Sequence, residues 1–126
     1  MRTEDLSPLN YFEDALNSDF SIQAVEIEAT LTANKSKEWS FDWDIKVFQD
    51  DEHPDFDPIG DRESLTSAAA VYLEDLSRSF VAKTEAKVTI SLERVRPQQD
   101  IWRCDYKIHT DSILSRFIKW LRALFT

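Results

Sequence analysis

Glycine is almost missing from this chain: Gly60 is the only one in 126 residues. Phosphate-cradling loops need several glycines so that the backbone can approach the ligand closely. A P-loop, a dinucleotide-binding fingerprint and a kinase glycine-rich loop are therefore excluded. Cysteine is equally scarce. Cys104 alone allows no internal disulfide, no zinc cluster built on thiolates and no CxxC redox pair. The only histidines, His53 and His109, have no serine, cysteine or lysine in a recognisable motif beside them. No apolar run approaches the ~20 residues of a membrane-spanning helix, and Met1-Arg2-Thr3-Glu4-Asp5 is too polar for a signal peptide. Positive charge is also in deficit, with 15 Lys and Arg against 24 Asp and Glu. Direct attraction of the whole molecule to nucleic acid or anionic lipid is not expected. Together these absences predict a cytoplasmic, non-enzymatic protein with no cofactor.

Apolar residues make up 42% of the chain, including eight Phe, three Tyr and four Trp. That is enough for one ordinary domain with a real core, spanning residues 1–126. Ser7-Pro8 reads as a helix start, and Leu9, Phe12 and Leu16 recur at helical spacing, predicting a helix over 8–17. From residue 22 the period changes to two. Val25, Ile27, Ala29 and Leu31 alternate with Glu26, Glu28 and Thr30; after a polar turn, Trp39, Phe41, Trp43, Ile45 and Val47 alternate with Ser40, Asp42, Asp44 and Lys46. This is a β-hairpin over 22–33 and 39–48.

Asp61 is placed to cap a second helix over 62–80, with Leu65, Ala69, Tyr72, Leu76 and Phe80 as its apolar stripe. A second hairpin follows over 85–95 and 101–109. Its inward phase is Ala86, Val88, Ile90 and Leu92, then Trp102, Cys104, Tyr106 and Ile108. Cys104 on that phase reads as a small buried hydrophobe rather than a nucleophile. A last helix is predicted over 112–125. Clean alternation in four strands implies an antiparallel sheet covered on one face, hence a two-layer α+β sandwich of order α-β-β-α-β-β-α. The last two helices are expected to cover it, with Trp43, Leu76, Ile90, Tyr106 and Phe117 in one core.

The chain's −9 net charge is concentrated. Between Gln49 and Glu63 stand Asp50, Asp51, Glu52, Asp55, Asp57, Asp61 and Glu63, against the single base Arg62. Charges this dense repel, so the segment 49–61 is expected to stay open and solvated unless something cationic sits on it. It lacks the D-x-D-x-D-G spacing and distal glutamate of an EF-hand, and no metal site is expected there. The outer face of the first hairpin adds Glu26, Glu28, Asp42 and Asp44. With strands ~4.8 Å apart and outward positions ~7 Å apart, face and loop together would present negative charge at a spacing loosely comparable to duplex phosphates. Phe48 and Phe56 would be apolar anchors within that field. Cross-strand pairing with Lys46, Lys87, Arg103 and Lys107 is the competing use of the sheet charges.

In Ser112–Thr126 the apolar residues Ile113, Leu114, Phe117, Ile118, Trp120, Leu121, Leu124 and Phe125 occupy one arc, with Arg116, Lys119 and Arg122 opposite. Such a helix covers a sheet or lies in a membrane interface; covering the sheet is expected.

A short, acidic, glycine-poor chain without a catalytic set is similar in profile to toxin-immunity proteins and phage anti-defence proteins. That similarity, which transfers no residues, implies an inhibitor occluding a basic surface of a partner such as a nuclease. The expected contact residues are Glu26, Glu28, Asp42, Asp44, Phe48, Asp50, Asp51, Glu52, Asp55, Phe56 and Asp57. Two other readings stand beside it. Acidic secretion-effector chaperones have a loosely similar order of elements and act as dimers; a peripheral membrane protein would use the last helix.

Overall fold

The computed structural model describes residues 7–80, 83–110 and 120–124. Helix α1 (Pro8–Asn17) leads into strands β1 (Ile22–Ala33) and β2 (Trp39–Gln49); helix α2 (Pro58–Ser79) is followed by β3 (Glu85–Arg94) and β4 (Trp102–Thr110). Helical backbone returns at 120–124. The order is the predicted α-β-β-α-β-β-α. All pairings are antiparallel and the sheet order is β2-β1-β3-β4, so the α2 crossover places β3 beside β1 rather than beside β2.

Alternation decides which face is buried. Val25, Ile27, Ala29 and Leu31 of β1 sit opposite Leu92, Ile90, Val88 and Ala86 of β3, and all eight are buried. Helix α2 lies toward β2 and α1 toward β4, with the two helices in contact. Phe12 and Leu16 from α1 meet Leu65, Ala69, Tyr72, Leu73 and Leu76 from α2 over these strands. The Tyr11 and Tyr72 rings meet edge-on at 5.0 Å, and the Tyr11 hydroxyl donates to Asp75 Oδ2 at 2.9 Å.

The structure corrects four expectations. Among the described residues the second cover of the sheet is α1, to which the apolar stripes do not assign that role. Residues 120–124 are exposed except for half-buried Leu121, and none joins the core; Phe117 and the rest of that helix lie outside the described residues. Helix α2 begins at Pro58 rather than at 62. Proline at the first helical position has no N–H to satisfy, and Asp57 caps the end by accepting the Gly60 N–H at 3.2 Å. Tyr106 is on the inward phase but 37% exposed. Helix α1 crosses β4 at its start, where Trp102 Nε1 donates to Asn17 Oδ1 at 3.0 Å, and leaves Tyr106 beyond its edge. The core does include Leu76 and Ile90, with Trp43 and Cys104 half-buried against it. Burial pushes the Cys104 thiol above its ordinary pKa, as an unreactive core cysteine requires.

The fourth correction concerns the acidic segment, whose backbone is turned rather than open. The Asp50 N–H donates to Ser21 O at 2.7 Å, His53 N–H to Asp50 O at 3.2 Å, and Phe56 N–H to His53 O at 3.0 Å. The Asp50 carboxylate also accepts the Glu52 N–H at 3.1 Å. Acids here act locally as turn formers, accepting backbone N–H groups that a strand or helix would otherwise satisfy.

A buried arginine locks the same end of the domain. Arg94 occupies the next inward position after Leu92, and its side chain is fully buried. It donates to Ile22 O at 2.9 Å, Asp19 O at 3.1 Å, Leu16 O at 3.3 Å and Gln99 O, and pairs with Asp100 at 3.3 Å. Its guanidinium lies 4.4 Å from the centroid of Trp102 and 5.2 Å from that of Phe20. One planar cation thus joins the α1–β1 corner to the β3–β4 turn.

Candidate functional site: an acidic sheet face and its loop

No helix among α1 and α2 crosses the outer face of the sheet, where the even positions of β1 and β2 point away from the core. All eleven residues expected to contact a partner are exposed. On the sheet, Glu28 stands directly opposite Asp44, and Thr30 opposite Asp42. Glu26 faces Lys46 on one side and Ser91 on the other, while Glu28 faces Thr89. Like charges directly opposed across an antiparallel pair are destabilising. Among the described residues Glu28, Asp42 and Asp44 make no ion pair. Of the four bases considered as partners, Arg103 does pair, but with Glu93, at 4.0 Å and with both side chains mostly exposed. That contact is worth little.

The curl of the sheet gives this face two shallow, open depressions. One lies over Glu26, Glu28, Asp105 and Lys107; the other lies over Glu28, Asp42, Asp44 and Lys87. Acidic character therefore belongs to the β1–β2 half, and bases appear toward β3 and β4.

Phe48, opposite Ala24 at the end of β2, is 49% exposed and forms the junction with the loop. From there the chain turns toward the helical layer, since Asp57 must cap α2. Face and loop are thus two acidic patches meeting at Phe48 rather than a single plane. Asp50, Asp51 and Glu52 are on the exposed side of the loop, and Phe56 is 37% exposed. Asp55 instead turns inward enough for its Oδ2 to accept the Phe20 N–H at 3.3 Å.

Beneath the loop lies a cluster that the sequence pattern does not reveal. Asp19 and Asp61 are 3% and 8% exposed. Asp19 Oδ1 accepts the Ser21 N–H at 2.7 Å; its buried Oδ2 meets no N–H or hydroxyl donor, and the Asp61 carboxyl is the remaining partner of the side chain. Gln49 Nε2 donates to Asp61 Oδ2 at 2.7 Å and to the Ser21 hydroxyl at 3.2 Å. Burial, then the neighbouring Asp19 carboxylate, pushes the pKa of Asp61 up to about 7. Burial also raises Asp19, but hydrogen bonds from Asp61 and Ser21, with His53 nearby, outweigh it and hold Asp19 below its ordinary value. Below about pH 7 the pair thus holds one proton, on Asp61 and shared with Asp19. The two residues are 42 positions apart, so no local spacing could have announced them.

No helix among the described residues is long and apolar enough to cross a membrane. Comparison of the chain with protein-family models, with curated proteins and with solved structures finds no match in any of the three.

Proposed function

We propose that this domain is a stoichiometric, non-enzymatic binding protein whose acidic sheet face and loop occupy a basic groove of a partner protein, most simply a nuclease or another nucleic-acid-binding effector. The observation that carries the reading is the Glu28–Asp44 opposition, with Asp42 beside it. Two like charges face each other across a strand pair, exposed and without an ion pair among the described residues. That arrangement weakens the free sheet and is relieved when a lysine or arginine docks between the strands. The loop acids extend the field, speeding encounter, while Phe48 and Phe56 give apolar contact that slows release.

The test is titration of the domain against the purified basic protein encoded beside its gene. Inhibition should saturate at one domain per partner, and Glu28→Lys with Asp44→Lys should weaken the complex at least tenfold. Absence of a complex at low salt would sink the reading for that partner. The exposure of Trp120 and Leu124 favours a second use, in which the last helix contacts a membrane interface or a second copy. Vesicle binding that survives high salt, or a concentration-dependent dimer, would support it.

A further inference from the structure

We propose, building on the docking reading above, that the partner attaches at the free edge of β2 by adding one antiparallel strand in which basic and apolar residues alternate. Strand β2 ends the sheet order β2-β1-β3-β4, and no other strand among the described residues lies along it. The phase of its backbone follows from the hairpin. Asn34 N–H donates to Glu38 O at 2.9 Å, while Ala33 N–H goes to Thr84 O at 2.8 Å, on the β3 side. Hydrogen-bonded pairs alternate along an antiparallel ladder, so Thr30–Asp42 and Glu28–Asp44 exchange their bonds within the sheet. The N–H and C=O groups of Phe41, Trp43 and Ile45 then point away from β1, at the edge.

Native edges are blunted by lysines, prolines, bulges or a covering element. From Trp39 to Val47, β2 has no proline and one lysine, Lys46, and its register with β1 is irregular only at the far end, between Ile22 and Ala24. Helix α2 lies toward β2 but covers its inward side chains incompletely: Phe41 is 38% exposed, and Trp39, Trp43 and Val47 are half-buried. An added strand would set apolar side chains beside these. On the other face its alternate residues would stand one strand spacing, ~4.8 Å, from Asp42 and Asp44. A lysine or arginine there supplies the opposite charge that Thr30 and Glu28 do not. The same acids, with the net charge of −9, work against a second copy on this edge. Strand β4, the other edge, has Arg103 and Lys107 on its outward phase against the single acid Asp105, so a cationic strand is directed to β2.

The probe is a ten-residue peptide of alternating Lys and Val, titrated into the isotope-labelled full chain at low salt and followed by amide hydrogen exchange. With Val on the inward phase, the Val N–H groups face β2 and the Lys N–H groups face solvent. Binding should slow exchange of the Phe41, Trp43 and Ile45 N–H groups at least tenfold. N-methylation of the Val residues should weaken binding at least tenfold, and N-methylation of the Lys residues less than threefold. Replacing every Lys by Glu should abolish it. Phe41→Lys should weaken binding at least tenfold and Arg103→Ala less than twofold; the methylated peptides carry the test on the wild-type chain if Phe41→Lys prevents folding. If both methylated peptides bind alike, charge alone holds the peptide: edge pairing is overturned while the docking reading stands. No binding of any Lys-bearing peptide at low salt would overturn edge pairing and count against the docking reading as well. Slowed exchange at Phe41 and Trp43 that grows with protein concentration, without peptide, would place a second copy on the edge and overturn the proposal.

Discussion

Replacing Asp61 by Asn should stabilise the domain above neutral pH, although it alters a buried residue. An Asn side chain can accept from Gln49 Nε2 through its carbonyl and donate to the Asp19 carboxylate through its amide. It would supply at every pH the donor that the Asp61 proton supplies only while it is bound. The sign follows from linkage. Asp61 has a folded pKa of about 7 against an ordinary 3.8, so the folded state binds the extra proton. Its contribution to stability is complete below pH ~4 and is lost as pH rises through ~7. A shift of about three pKa units is ~4 kcal/mol at 1.36 kcal/mol per unit, of which about two units, a ceiling of ~2.7 kcal/mol, fall between pH 5 and pH 8. The position of Asp61 in the first turn of α2 favours its charged form by ~0.3–1 kcal/mol and movement of the pair relaxes more, so we expect on the order of 2 kcal/mol. Urea unfolding followed by tryptophan fluorescence, with chelator present, at pH 5 and pH 8 measures it. The difference between wild type and Asp61→Asn removes the pH dependence of all other acids. The variant should match the wild type at pH 5 and exceed it by ~2 kcal/mol at pH 8, a rise of roughly 5–10 °C in melting temperature. An equal pH slope in both proteins, or a variant weaker at pH 8, would refute a shared proton.

Two further outcomes test the packing. Arg94→Met leaves the carbonyls of Leu16, Asp19, Ile22 and Gln99 without the arginine's donors and should cost ~3–5 kcal/mol in urea unfolding, whereas a surface arginine such as Arg103 replaced the same way should cost less than ~0.5. Phe12→Ala should cost ~3–5 kcal/mol by the same assay because α1 is half of the cover over the sheet; a loss below ~1 would show that α1 is dispensable.

The strands were readable because each side chain's face is fixed by a period of two, and a half-covered sheet writes that period into the sequence. Exposure of Glu26, Glu28, Asp42, Asp44 and Phe48 followed from the same rule. The place of α1 in the core did not, since only tertiary packing shows that its short apolar stripe covers the sheet. The start of α2 is expected at 62 rather than 58 because a proline one residue after a cap and a proline in a loop look alike without the backbone. Arg94 did leave a signal: a charge on the inward phase of β3 followed by an inward Trp102. Asp19 left none. Its pairing with Asp61, 42 residues away, arises only through the fold of the loop.

The central claim is that the β1–β2 acids serve docking rather than folding. Stopped-flow association of the domain with its basic partner tests it most directly, comparing wild type with a Glu28→Gln, Asp42→Asn, Asp44→Asn variant at 0.01 M and 1 M salt, where the Debye length is ~30 Å and ~3 Å. The predicted result is association at least tenfold slower for the variant at low salt, convergence at high salt, and a free variant at least as stable as the wild type. Equal association rates at low salt, or a variant that loses stability in the free state, would contradict it.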